Sequence, residues 1–394
     1  MKKTNGQTSV LVLSTVSMIV SFTVWSVFAP IATEIQKIYE LSITQKSILI
    51  ATPVLLGSVM RIPMGILTDR YGGRRVFALT MLLLILPMVG AGFTDTFAML
   101  LFWAFFIGMA GTTFAISITY VSKWYPPEKQ GLILGIAGMG NLGSAVANFL
   151  IPSIFSSYGL SWVFWSLSIA MACMAILFWV GTKDVQVTSK HKTLKESLSV
   201  LKFKETWYLS VFYFLTFGTF VTFSIYLPTF LNDLFSISAL EAGIITAIFV
   251  VLATLIRPIG GYLSDRFGAK GLLTLVFSGV TLCGMFIAFT MENFLFFSIN
   301  CLIISILVGI GNGAVFKMVP EISNGNTGAV TGIVGAIGGV GGFFPPIILG
   351  MTKDLAGDYV LGFLLLSILS LFCLILNHKG VNKTSIKVSA QKSA

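Results

Sequence analysis

Stretches of about 20 apolar residues, the length that crosses a hydrocarbon layer of about 30 Å, follow one another along almost the whole chain. Apolar length, punctuated by charges and turn residues, places them at 9–32, 46–67, 76–94, 98–122, 130–153 and 161–181, then at 207–230, 241–263, 271–291, 294–318, 327–351 and 358–377. Of 394 residues 56% are hydrophobic and 10% charged, with a mean hydropathy of +0.92. A soluble domain carries roughly 25% charged residues, so lipid is the main solvent of this chain. The expected fold is an all-α membrane protein of twelve transmembrane helices in two pseudo-symmetric six-helix bundles. The first run starts at Ser9 and continues to about Ala32 without a small-residue cleavage site, which reads as a retained helix and not a signal peptide.

Lysine and arginine set the sidedness. The basic segments are the N-terminus, alternate connections and the C-terminal tail, whereas the opposite connections hold only Lys37, Lys46 and Lys353. By the positive-inside rule both termini are cytoplasmic, and a plasma-membrane location is expected. The net charge of +10 then reflects topology and contact with anionic membrane lipid, not nucleic acid. The longest polar stretch separates the halves. The expected division is a bundle over 1–181, a cytoplasmic linker over 182–206, a second bundle over 207–378 and a tail over 379–394. Cys173, Cys283, Cys301 and Cys373 all lie in apolar runs without metal-ligand or disulfide spacing. No metal or cofactor is expected. No nucleophile–base pair or phosphate loop marks an enzyme.

The halves repeat. Arg61, Gly65, Asp69, Arg70, Gly72 and Arg74 recur as Arg257, Gly261, Asp265, Arg266, Gly268 and Lys270, at one constant offset. Gly135 and Gly138 recur as Gly332 and Gly335, and Gly111-Thr-Thr-Phe114 as Gly313-Ala-Val-Phe316. Parallel halves of this kind put a substrate site at their interface near mid-membrane. The Gly65-x-x-x-Asp69-Arg70-x-Gly72-Gly73-Arg74-Arg75 loop with its weaker second copy resembles the signature of the major facilitator superfamily, over the whole chain. Its carboxylates, Asp69 and Asp265, beside helix N-termini and with Arg70 and Arg266, are expected to lock the two bundles in one state.

No carboxylate lies deep in a span, but two arginines do. Arg61 and Arg257 each precede the motif aspartate by eight residues, about 12 Å of helix. A central arginine costs at least about 2.5–3.5 kcal/mol on insertion scales. One reading is that each bonds helix carbonyls or snorkels to the cytoplasm. The other is an anion site, with one guanidinium from each half presenting its planar donor fork to a planar oxyanion. The fifth span carries Gly135, Gly138, Gly140 and Asn141, and the eleventh Gly332, Gly335 and Gly338. Glycines so spaced let helices approach closely and slide.

Together with the arginines, these runs resemble the nitrate signatures of the nitrate/nitrite porter family. The resemblance implies that Arg61 and Arg257 bind the anion, that Phe114 and Phe316 sandwich it, and that Tyr213 and Asn141 donate hydrogen bonds. It implies a monomeric secondary transporter of nitrate and nitrite, serving nitrate assimilation by nitrate/nitrite antiport. Another small anion such as formate or a dicarboxylate is the rival substrate. Lys317, next to Phe316, either snorkels to the cytoplasmic interface or is a cavity lysine that carries a proton for coupled uptake.

Overall fold

In the computed structural model, residues 5–126, 129–184, 198–322 and 327–380 are described, and all the regular structure among them is helical. Twelve helices are long and apolar enough to span a membrane. They are α1 (Gly6–Ile38), α2 (Ile43–Tyr71), α3 (Gly73–Ala91), α4 (Phe97–Ser122), α5 (Leu132–Tyr158), α6 (Leu160–Gly181), α7 (Lys204–Phe235), α8 (Leu240–Phe267), α9 (Ala269–Thr290), α10 (Phe294–Val319), α11 (Ala329–Lys353) and α12 (Val360–Lys379). Each corresponds to one expected span. Several run longer than their apolar cores, because backbone hydrogen bonding continues into the polar ends. Most of the expected linker and tail, 185–197 and 381–394, lies outside the described residues.

Lys46 is not in a connection. Ser42 Oγ accepts the Gln45 N–H while the Gln45 side chain accepts the Ser42 N–H. This reciprocal cap starts the helix at Ile43 and draws Lys46 inside α2, where it is 5% exposed.

The two most extensive crossings between the halves are α2 on α11 and α5 on α8. Each rests on glycines. A β-carbon on Gly332 would come 2.9 Å from the Arg61 carbonyl oxygen, and one on Gly135 would come 2.8 Å from Pro258 Cα. Further along the same crossings Gly350 faces Ser47 and Gly243 faces Asn148. α11 is broken at Gly341–Phe343, and α5 at the 3-10 turn Met139–Leu142. Both segments of each broken helix pack on the opposite half, so the seam is closed on both sides of the arginines.

The repeated loop keeps its geometry. Gly72 has φ 89° and ψ 147°, and Gly268 has φ 85° and ψ 137°, a region that disfavours any residue with a β-carbon. The carboxylate at the start of α3 is Asp184, whose Oδ1 accepts the Arg74 N–H at 2.9 Å. Asp69 pairs instead with Lys123 of α4's end (3.0 Å), and Asp265 with Lys317 of α10 (2.6 Å). These ion pairs join elements of the same half. Among the described residues, neither aspartate forms an ion pair across the two bundles, because a lysine on a neighbouring helix of the same half reaches each one.

Candidate functional site

A turn at Met60 interrupts α2, and Arg61 opens its second segment. Its side chain is fully buried. Nε donates to the Gly111 carbonyl of α4 at 3.1 Å and Nη1 to the Gly335 carbonyl of α11 at 2.7 Å. Nη2 has no partner. Arg257, 1% exposed, donates from Nη2 to the Tyr213 hydroxyl at 3.2 Å, while its Nε and Nη1 are unpartnered. No carboxylate forms an ion pair with either arginine among the described residues. Three buried cationic donors thus await an acceptor, where neutral groups already cost 1–3 kcal/mol each when left unpaired.

Aromatic rings separate the guanidinium groups. Phe114 is shared, with Arg61 Cζ 5.1 Å and Arg257 Cζ 5.3 Å from its centroid. Phe217 lies 5.0 Å from Arg61 Cζ, and Phe316 5.4 Å from Arg257 Cζ. Phe114 and Phe316 meet edge-to-face at 84° and 5.2 Å, so no flat slot lies between them and the expected sandwich by this pair is not formed. Two rings lie near-parallel to Phe114: Tyr213, at 21° and 6.2 Å, and, missed in the sequence, Phe217, at 29° and 5.9 Å. Its sequence signal was its place one helical turn after Tyr213, where i and i+4 share a face, and the two rings stack at 11° and 4.8 Å.

The signature glycines divide by what they touch. Gly138 of α5 presses on Arg257, a β-carbon there coming 2.7 Å from Nε. Gly335 of α11 lies over Arg61, with 3.4 Å from its virtual β-carbon to Cδ, and Gly338 abuts the Tyr213 ring. Gly140 instead packs on Met18 of its own half. Asn141, 2% exposed, sits in the α5 break one turn beyond Gly138, and its Oδ1 has no partner. Lys317 is not in the cavity. Its ammonium reaches toward the α8 end, bridging Asp265 at 2.6 Å and Glu321 at 3.4 Å. Arg70 and Arg266 stack on their neighbours Tyr71 and Phe267, away from the buried pair. A cavity of about 240 Å³ behind the α11 break, lined by residues such as Phe214, Thr219, Phe344 and Leu366, contains no charged group and is separate from this site.

The contacts make the glycines unequal. Gly138→Ala should reduce turnover and anion binding together, because the methyl group displaces the Arg257 guanidinium. Gly335→Ala, with 3.4 Å of room, should cost several-fold less. Equal losses in a parallel binding and flux assay would show that helix sliding, not guanidinium position, is what the glycines protect.

A family model described as Major Facilitator Superfamily matches residues 14–346 and 235–382. The nitrite extrusion protein of Bacillus subtilis (strain 168) is 37% identical over 372 residues, 94% of each chain. The probable nitrate transporter NarT of Staphylococcus epidermidis is 37% identical over 382 residues, 96% of this chain and 98% of that one. Among solved structures, the human organic anion transporter MFSD10 (TETRAN) superposes with a TM-score of 0.79 at 13% identity, covering 95% of this chain and all of its own. That likeness is one of fold.

Proposed function

The chain belongs to the major facilitator superfamily, and from that premise we propose that it carries nitrate and nitrite across the plasma membrane by alternating access. One observation carries this reading: two buried arginines, one from each half, have three unpartnered donors and, among the described residues, no carboxylate partner. A monoanion whose negative charge is spread over a plane satisfies such donors, and Phe114, which both guanidinium groups share, offers it a ring face. The names of the full-length relatives point the same way.

In this reading Arg257 binds through Nε and Nη1, and Arg61 through Nη2. Tyr213 holds Arg257 in place, and the Asn141 amide supplies a further polar contact from the α5 break. The bundles 1–181 and 207–378, joined by 182–206, rock about the α2–α11 and α5–α8 crossings. Both termini are cytoplasmic and the monomer is the working unit. Carriage needs no cofactor and no bond-breaking step. Formate and dicarboxylates are the rival substrates: a dicarboxylate brings a second carboxylate to a site with only two arginines, and formate, planar with two oxygens like nitrite, is separated from it by competition against labelled nitrate flux.

Labelled nitrate flux in proteoliposomes tests the proposal, and no saturable nitrate or nitrite flux by the purified chain would reject it. Within that assay Phe217→Ala should raise the KM for nitrate about tenfold through the lost ring face and cation–π contact. Phe316→Ala should raise it less. The opposite order would return the anion to the Phe114–Phe316 side.

A further inference from the structure

On its lipid side the first half carries a groove between α3 and α6 of about 510 Å³. Its walls are Ala78, Leu79 and Leu82 on α3, and Ala175, Ile176, Trp179 and Val180 on α6. Leu79 and Ile176 are 59% and 63% exposed, so both walls stay open in the folded chain. The single charged member is Arg75, at the cytoplasmic end of the groove. From Arg75 to Leu82 the helix rises about 10 Å, most of the depth of one leaflet's acyl region.

Among the described residues, the charges that flank Arg75 at the start of α3 are engaged. Arg74 donates from Nε and Nη2 to the Trp179 carbonyl at 3.0 and 2.6 Å and lies 4.1 Å over the Trp179 ring. Asp184 accepts the Arg74 N–H, and Asp69 pairs with Lys123. Arg75 is exposed and has no ion-pair partner among the described residues.

The internal repeat supplies the comparison. Lys270 occupies the place of Arg74 and repeats its clamp, donating to the His378 carbonyl at the end of α12 at 3.4 Å. The place of Arg75 is taken by Gly271, with nothing near its virtual β-carbon. The loop and its clamp therefore form without a second cation, and Arg75 is left without a structural duty. A free cation at the mouth of an apolar channel is complementary to a molecule with an anionic head and a long hydrocarbon tail.

We infer that this groove holds one anionic phospholipid, its phosphate on Arg75 and one acyl chain between α3 and α6. Assignment to the cytoplasmic leaflet rests on the orientation proposed above, whereas the binding itself does not. Trp179, clamped by Arg74, forms part of the groove wall, so a bound lipid ties α6 to the loop that begins α3. A free phosphate would meet only the headgroup half of the site and leave the apolar channel uncovered.

The test is native mass spectrometry of the purified full chain in detergent, offered equal amounts of phosphatidylglycerol and phosphatidylcholine with identical chains. One phosphatidylglycerol should be retained in preference to phosphatidylcholine. Arg75→Gln should lower that preference about fivefold, the contribution of one interfacial cation. Ile176→Trp, which fills the groove, should reduce retention of both lipids. Lys204→Gln, removing an exposed cation at the start of α7, should leave the preference intact. An unchanged preference in Arg75→Gln, unchanged retention in Ile176→Trp, or an equal loss in Lys204→Gln would each overturn the site. So would full displacement by water-soluble glycerol phosphate, which would reduce it to a phosphate contact.

Discussion

Arg257→Lys should abolish most nitrate uptake while leaving the amount of protein in the membrane unchanged. The guanidinium serves two tasks from fixed positions: Nη2 donates to Tyr213, and Nε and Nη1 remain free for the anion. An ammonium gathers its donors on one atom at a different reach, so it cannot hold the tyrosine and offer a planar fork together. Losing one or two charge-assisted hydrogen bonds of about 1.5–3 kcal/mol corresponds to a fall in affinity on the order of 100-fold. Arg61→Lys should fall as far by another route. Arg61 links Gly111 of the first half to Gly335 of the second, so its loss weakens closure as well as binding. The two variants separate in a binding assay, where Arg257→Lys should lose affinity and Arg61→Lys should retain more affinity than turnover. Near-normal uptake by either would remove the two-arginine site.

The twelve spans and the pairing of Arg61 with Arg257 were legible because both are one-dimensional signals. Apolar length reports a bilayer crossing without any tertiary information. The repeat marks equivalent places in two halves that a pseudo-symmetric fold brings face to face. Side-chain geometry was not legible in the same way. Phe316 was chosen because it matches Phe114 across the repeat, but symmetry relates positions and says nothing of ring planes, which cross at 84°. Phe217 belongs to no repeated motif and reaches the site only because α7 presents it one turn from Tyr213. Likewise the sequence left Lys317 open between snorkelling and a place beside the arginines, and only the course of its flexible stem, out to Asp265 and Glu321, decides between them. Lys46 failed for a local reason, since its helix begins earlier than hydropathy alone suggests, at the Ser42–Gln45 cap.

The place of Lys317 decides the second large expectation, which concerns coupling. Nitrate should exchange for nitrite at least about tenfold faster than it enters nitrite-free vesicles. Each buried arginine carries a charge that no carboxylate among the described residues pairs with. Their mutual repulsion grows as the surroundings lose water, because Coulomb energy scales inversely with the local dielectric constant, and desolvation adds several kcal/mol per ion. One bound monoanion offsets part of both costs. The loaded carrier therefore crosses the closed state readily, and the empty one slowly, since about 1.4 kcal/mol of difference already gives tenfold. A proton could replace the returning anion only if a group beside the arginines gained or lost one near neutral pH, which the Tyr213 phenol, with an ordinary value of about 10, does not. Lys317 does not stand beside them, being held between two carboxylates at the end of α8 and α10. Nitrate uptake should accordingly be measured into nitrite-loaded and nitrite-free proteoliposomes, with and without an inward proton gradient, for the natural chain and Lys317→Gln. Gradient-independent exchange well above net uptake in both proteins is expected. Rapid net uptake driven by the proton gradient, and lost in Lys317→Gln, would overturn exchange and return the proton to Lys317.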